Sequence, residues 1–437
     1  MKQKFYPITW AICLVLIVAC ILLGCTATES AGIADARIND NGELILIYED
    51  GHQQNLGNVV GSNGSDGQDG SVIISGENSN IPTASAKGLR SAVSILCKFQ
   101  TTVQQGGWRP GYGSTTTKEY SSAGSGVIYK MDKSAGDAFI ITNYHVVYDA
   151  SSNTENGISQ DISIYLYGSE IEEKAIPATY VGGSLYYDIA VLRIENSEIL
   201  RASHACQVDV ANSDHVVVGD SAIAIGNAQG YGISASSGIV SVDSEYITMT
   251  AADGRTGVSF RVMRVDTAVN SGNSGGGLYD DQGDLIGIVN AKIVDEGVEN
   301  IGYAIPSNVA IAIADNIIDY CYGTNIERVQ RALLGITVTA SDSKAIYDES
   351  TGLICIEETV SVYEITENSL AEGMLQTGDV LLCATLNGHT TEISRQYHVI
   401  DMMLDVRVGD VVSFTVLRDG AEITVEIIIT EDCLMAY

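Results

Sequence analysis

Residues 267–278 read TAVNSGNSGGGL, four glycines and two serines gathered around Ser274. Such a stretch reads as a flexible loop, a phosphate cradle or the seat of a nucleophile. A phosphate loop carries a Lys and opens a helix. No Lys is present, and the continuation GLYDDQGDLIGIV (277–289) reads as a β-hairpin. A nucleophilic serine needs a base beside it to take its proton. In the familiar arrangement a His does so, and a buried carboxylate fixes the His tautomer. That reading obliges the surrounding chain to supply one well-placed His and one Asp.

From about Lys87 to Gly323, short apolar runs alternate with Gly/Ser/Asn/Asp turns, among them SAVSILCKF, AFIITNYHVV, DIAVLRI and SAIAIGN. Many strands at this spacing predict an all-β barrel or sandwich of one or two units. Three of the six histidines fall inside it. His204 and His215 sit in polar stretches, whereas His145 ends an apolar strand that delivers its side chain to a rim. Asp188 opens the apolar strand after LYY. Alone, His145 reads as a satisfied rim histidine and Asp188 as a turn residue. Together with Ser274 they stand in the chain order His, Asp, Ser, that of double β-barrel proteases. The glycines have a matching task, because the N–H groups of Gly272 and Ser274 can converge as an oxyanion hole.

GSGVIY, ITNYHVV, YDIAVLRI, AIGN, VDTAVNSGNSGGGL, GIVNAKI and IGYAIPSN succeed one another in this order. Through them the chain resembles the HtrA (Deg-type) serine protease family over nearly all of residues 87–323. The resemblance implies a trypsin-like double β-barrel domain at 87–323, with His145 as general base, Asp188 as its orienter and Ser274 as nucleophile. It also implies ATP-independent cleavage of misfolded or unfolded extracytoplasmic proteins. The chain departs from the family in having Gly277 and Ser271 where Pro is usual, which leaves the loop less pre-set and puts basal activity in doubt. Six residues before the nucleophile stands Ala268, where trypsin-type enzymes for basic side chains carry Asp. A small apolar floor there favours aliphatic residues before the scissile bond, with Asn290 and Lys292 expected on the pocket wall. Relatives assemble as trimers or larger cages, so a homotrimer is implied by resemblance, though no stretch encodes it visibly.

Strand-like LLGITVT, GLICIEE, DVLLCATLNG and VVSFTVLRDG, with helix-like SLAEGML and ISRQYHVIDMMLDV, predict a separate α+β module over 331–437. It resembles a PDZ domain, in which Leu334, Gly335 and Ile336 would hold a peptide's C-terminal carboxylate. Ahead of residue 87 the sequence changes character. MKQK precedes an apolar run ending Leu22-Leu23-Gly24-Cys25, an export signal over 1–24 that resembles the lipoprotein type, with Cys25 lipidated. An uncleaved membrane anchor and simple secretion are the alternatives, and all three place the globular part outside the cytoplasm. Residues 25–86 read as a β-hairpin and a Gly-rich spacer, together a stalk.

The 437-residue chain carries a net charge of −32, which repels polyanions and excludes nucleic acid as a partner. Nine cysteines show no metal-ligand spacing, and no motif calls for a metal or organic cofactor. The six beyond Cys25 lie mostly in strand-like contexts and read as buried free thiols, with disulfides the alternative outside the cytoplasm. The sequence therefore predicts a mainly β, surface-tethered serine endopeptidase. The alternative is a protease-like binder that holds unfolded chains and cuts weakly.

Overall fold

The computed structural model describes residues 33–39, 43–58, 80–105, 114–169, 171–291, 301–349 and 351–436. The expected signal segment 1–24, Cys25 and the Gly-rich spacer lie outside them. Among the described residues no helix is long and apolar enough to cross a membrane. The chain divides into two units, Met1–Asn78 and Ser79–Tyr437.

In the first unit β1 (Ile33–Ile38), β2 (Glu43–Tyr48) and β3 (Gln53–Asn58) form an antiparallel sheet in chain order. The expected hairpin gains a third strand. QQNLGN has no apolar alternation to announce it, but it comes after a tight turn at Gly51, φ 80°.

The second unit opens with α1 (Ile81–Leu89), so the border expected between stalk and barrel at 86/87 falls inside a helix. Pro82, near the N-terminus of α1, is compatible with helical φ there. Gly88 brings the helix so close to the body that a Cβ would lie 2.7 Å from Ile225 Cδ1. Lys87 ties it down by pairing with Asp209 at 2.9 Å and with Asp284.

Two closed antiparallel barrels come next. The first contains β4 (Ala92–Gln105), β5 (Ser114–Asp132), β6 (Asp137–Thr142), β7 (Asp161–Leu166), β8 (Ile176–Ser184) and β9 (Ile189–Ile194), closed in the order β4-β5-β6-β9-β8-β7. Within it α2 (Tyr144–Val147) is a single turn after β6. In the polar segment 100–124 the described residues continue the β4–β5 ladder, paired from Ala92↔Val127 to Gln105↔Ser114. Backbone pairing needs no apolar side chain, so Thr- and Gln-rich strands escaped the apolar criterion.

After α3 (Glu198–Ala202), capped by Ser197 Oγ, the second barrel is built from β10 (Ser221–Gly226), β11 (Ser234–Thr250), β12 (Gly257–Val265), β13 (Gly277–Tyr279), β14 (Leu285–Val289) and β15 (Gly302–Pro306). It closes in the order β10-β11-β12-β15-β14-β13. The helix α4 (Ser307–Cys321) then buries Val309, Ile313 and Ile317 against both barrels.

The remaining segment pairs β16 (Gln330–Ala332) with the closing β23 (Leu434–Ala436). Between them β17 (Ile336–Asp348), β18 (Leu353–Ile365), β19 (Val380–Leu386), β21 (Val411–Arg418) and β22 (Ala421–Ile428) form a sheet in the order β17-β18-β19-β21-β22, with β20 (His389–Glu392) paired to β19. The expected helix at SLAEGML is a run of turns, interrupted at Gly373 with φ 77°. The other expected helix is present as α5 (Gln396–Asp405). All six cysteines in the described residues are free. Cys97 and Cys321 are buried, and burial pushes both thiols up to about 12. Cys355 is exposed, against expectation, because its strand leaves the body of the sheet.

α5 clamps this module to the second barrel. Arg261 of β12, 3% exposed, pairs with Asp214 at 3.0 Å and with Asp401 of α5 at 2.7 Å. Its guanidinium lies 3.9 Å from the Tyr397 ring centroid. Arg395 reaches Asp243 at 3.2 Å, and Arg407 reaches Asp319 of α4 at 3.0 Å. Burial raises the Asp401 carboxyl to about 7; Arg261 and Arg331 oppose the rise, while Asp214 and Asp405 add to it. The folded chain thus holds this proton more tightly than the unfolded one, so between 3.8 and about 7 stability falls as pH rises. Asp401→Asn has no such titration. Its melting midpoint should gain on the parent's as pH rises, with a larger gap at pH 8 than at pH 5, and an equal gap at both values would remove Asp401 as the source.

Candidate active site

His145 is the second residue of α2, placed by the end of β6. Its orientation is set by Asp188, on the turn between β8 and β9. Asp188 is 5% exposed and adopts φ 54°, a left-handed conformation that costs a non-glycine residue energy. A full set of hydrogen bonds holds it there. Its carbonyl accepts from Tyr144 N at 3.1 Å and Asn143 Nδ2 at 2.9 Å. Oδ1 accepts from His145 N at 2.9 Å. Oδ2 lies 2.6 Å from His145 Nδ1 and accepts from Asn290 Nδ2 at 2.8 Å. With Nδ1 donating to the carboxylate, Nε2 is the imidazole nitrogen left to act as a base.

Ser274 arrives from the second barrel. Its Oγ accepts from Ala291 N at 3.2 Å. Asn290 and Ala291, neighbours in sequence, therefore touch the acid and the hydroxyl respectively. Gly275, φ 83°, lets the loop lean on the strand that carries His145, since a Cβ there would stand 2.3 Å from Thr142 Oγ1. Ser125 stitches the barrels at this point. Its N–H donates to Ser274 O at 2.9 Å, and its Oγ donates to Gly272 O and accepts from Asn227 N, both at 2.7 Å.

The peptide before Gly272 is also oriented. Gln229 N donates to Ser271 O at 2.7 Å. In a trans peptide the N–H points opposite the carbonyl, so the Gly272 N–H turns away from Gln229. Among the described residues neither the Gly272 nor the Ser274 N–H has an acceptor. Two free donors flanking a serine hydroxyl are what an oxyanion site requires. Gly272 takes φ 96°, and a Cβ there would sit 2.3 Å from Asn227 O.

The loss of proline at 277 has a physical cause. A Cβ on Gly277 would fall 2.5 Å from the Tyr279 ring. Tyr279 is fully buried, and its hydroxyl lies 3.1 Å from Ser91 Oγ. The ring fills the space that a proline or alanine side chain would need.

Other expected residues are distributed less neatly. Ala268 is exposed on the irregular segment after β12, and its carbonyl accepts from Ser236 Oγ at 3.0 Å. Asn290 is not on a pocket wall. It is wholly buried with its amide on Asp188, because β14 ends there directly behind the acid. Lys292 lies outside the described residues. In the C-terminal module Gly335 has φ 79° between buried Leu334 and Ile336, which starts edge strand β17. Leu334 O and Gly335 O accept from Ala371 N and Thr366 N. Among the described residues no His/Cys/Asp/Glu group is clustered to hold a metal. Ser125, Asn143 and Gln229 escaped sequence reading. Asn143 and Ser125 stand inside the quoted ITNYHVV and GSGVIY stretches, while nothing in the sequence marks Gln229.

A family model for the trypsin-like peptidase domain matches residues 124–288. Serine protease Do-like HtrA of Lactococcus lactis subsp. cremoris (strain MG1363) is 30% identical over 398 residues, 87% of this chain and 89% of that protein. Periplasmic serine endoprotease DegP of Escherichia coli (strain K12) is 29% identical over 75% of this chain and 61% of its own. The solved HtrA-type protease AlgW with decapeptide shares the fold, with a TM-score of 0.50 at 24% identity over 82% of this chain and 99% of that one.

Asn290→Ala removes a donor from a buried carboxylate. A hydrogen bond to a charged group contributes about 1.5–3 kcal/mol, so kcat/KM on unfolded casein should fall about 10- to 100-fold with the fold intact by circular dichroism. Activity within twofold of the parent would separate Asn290 from the reaction.

Proposed function

Because this chain belongs to the HtrA family of trypsin-like serine proteases, and is a serine endopeptidase, we propose that it is tethered outside the cytoplasm and cleaves misfolded or unfolded polypeptides with Ser274 as nucleophile. The observation that carries the assignment is the 2.6 Å contact of His145 Nδ1 with Asp188, set beside Asn290–Ala291, which touch both that acid and the Ser274 hydroxyl. In the reaction His145 Nε2 takes the hydroxyl proton as Ser274 Oγ attacks the scissile carbonyl. Asp188 keeps the imidazole in register and stabilises its charged form. The tetrahedral oxyanion sits against the N–H groups of Gly272 and Ser274. His145 then gives its proton to the leaving amine, and water resolves the acyl-enzyme by the same steps in reverse.

Ala268, exposed six residues before Ser274, puts no charge at that position, which supports a preference for uncharged aliphatic residues before the cleaved bond. The 331–437 segment is read as a PDZ domain that receives peptide C-termini at Leu334-Gly335-Ile336, the peptide adding to the edge of β17. The family supplies the expectation of a homotrimer. The reading of a weakly cutting binder rested on the missing prolines, and the fit of Tyr279 over Gly277 weakens that ground.

A fluorophosphonate should label the full-length chain at Ser274, mapped by mass spectrometry. Ser274→Ala should lose the label and slow casein digestion on the order of 10⁴-fold or more; equal digestion by both chains would leave a binder. For the anchor, labelled palmitate should enter the parent and not Cys25→Ser in the producing cell. Equal incorporation would remove lipidation at Cys25.

A further inference from the structure

The β17–β18 hairpin outruns its sheet. The strands stay paired from Lys344↔Glu357 to Asp348↔Leu353, whereas β19 meets β18 only at Ser361↔Val380. A register shift between Ser341 and Lys344 marks where the free arm begins. Over 353–357, β18 has no second strand beside it among the described residues. A two-stranded ribbon alone is marginally stable in water, and an open strand edge is a template for another strand. Such edges are usually blunted by charge, proline or a bulge. Leu353-Ile354-Cys355-Ile356 carries none of these.

Residues directly opposite in an antiparallel pair share a face. Ala345, Tyr347, Ile354 and Ile356 thus form one apolar face of the arm, and Tyr347 and Ile354 are 62% and 63% exposed. The other face carries the Lys344–Glu357 ion pair, Ile346 and Cys355.

Backbone direction along β18 is set by two fixed points. Glu358 N donates away from β17 to Ser394 O at 2.8 Å, and Val362 N does the same to Asp379 O at 2.9 Å. N–H and C=O groups alternate sides along a strand, so Ile354 and Ile356 present theirs on the open edge while Cys355 turns its own inward. This sequence is also symmetric about Cys355, with an isoleucine on each side. An antiparallel copy centred there makes each Ile354 exchange both hydrogen bonds with the partner's Ile356. Leu353 then faces the partner's Glu357, so the two glutamates never oppose one another. The Cys355 pair falls at a non-hydrogen-bonded position, where Cα atoms are about 4.5 Å apart, inside the range that a disulfide spans.

We propose that residues 353–357 pair antiparallel with the same strand of a second copy of this chain, about a two-fold axis at Cys355, joining two arms into one four-stranded sheet. The two-fold operation uses up the edge on both chains, so the contact closes as a dimer rather than propagating as a fibre. Four backbone hydrogen bonds, two in each of the two Ile354–Ile356 pairs, and four isoleucines make a small contact, of the transient class. The contact is independent of catalysis at Ser274.

Cys355 is the reporter, not the cause. Brief treatment of the full-length chain with diamide, which takes two electrons and two protons from a thiol pair, should give a dimer containing a Cys355–Cys355 peptide. That link should form at least about tenfold faster than links through the half-buried Cys206, Cys383 and Cys433. Ile354→Glu with Ile356→Glu should slow it at least about tenfold, with casein digestion unchanged as evidence of folding. Equal rates at Cys355, Cys206, Cys383 and Cys433 in the parent, a comparison that needs no variant, would overturn the assignment. So would suppression of the Cys355 link by excess unfolded casein, which would make the edge a receiver of substrate segments instead.

Discussion

The Asp188 carboxylate is the group on which the site turns. An ionised carboxylate taken out of water is tolerated only where hydrogen bonds replace its hydration. Here the replacement comes from both barrels. His145 N and Nδ1 belong to the first and Asn290 Nδ2 to the second, while the Asp188 carbonyl anchors Asn143 and Tyr144. The cost of its left-handed backbone is offset by the same bonds. One buried acid therefore fixes the imidazole, the turn that carries it and the docking of β14.

The nucleophile loop obeys a second constraint, close backbone approach. Gly272 and Gly275 take positive φ, and at each a Cβ would meet another segment's polar atoms at 2.3 Å. Ser125 and Gln229 then pin the carbonyls of residues 271, 272 and 274. With those carbonyls engaged, the backbone groups left free beside Ser274 among the described residues are the Gly272 and Ser274 N–H donors. Its geometry is set by neighbours on 125 and 227–229 more than by its own torsional preferences, so proline at 271 or 277 is not the only way to stiffen it. Tyr279, buried over Gly277 and touching Ser91, is this chain's substitute, and it couples the loop to the end of α1.

Much of this was legible in sequence where side-chain type carries the signal. The apolar runs gave the barrel strands, and residue type, order and flanking glycines singled out His145, Asp188 and Ser274 as candidates. The chain's HtrA membership agrees with that reading. The features that escaped are those that backbone and burial decide. QQNLGN and the Thr-rich part of β5 are strands by pairing alone. SLAEGML has helix formers but a glycine at positive φ and carbonyls claimed by turns. Asn290 was misplaced because a strand end seen from sequence does not reveal which face meets the acid.

Charge explains how the pieces stay together. With 55 acidic residues against 23 basic ones, self-repulsion opposes close packing of the modules. The arginines are spent where acids crowd. Arg193, Arg261, Arg395 and Arg418 have side chains 18% exposed or less, and each is paired with a carboxylate. Arg261 and Arg395 both lie over the Tyr397 ring. A planar guanidinium can stack on an aromatic face and donate in its own plane at once, which a lysine ammonium cannot. The seam at α5 is accordingly built from arginine and tyrosine rather than from a larger apolar surface, and burial there raises the Asp401 and Asp405 carboxyls and lowers the His398 imidazole.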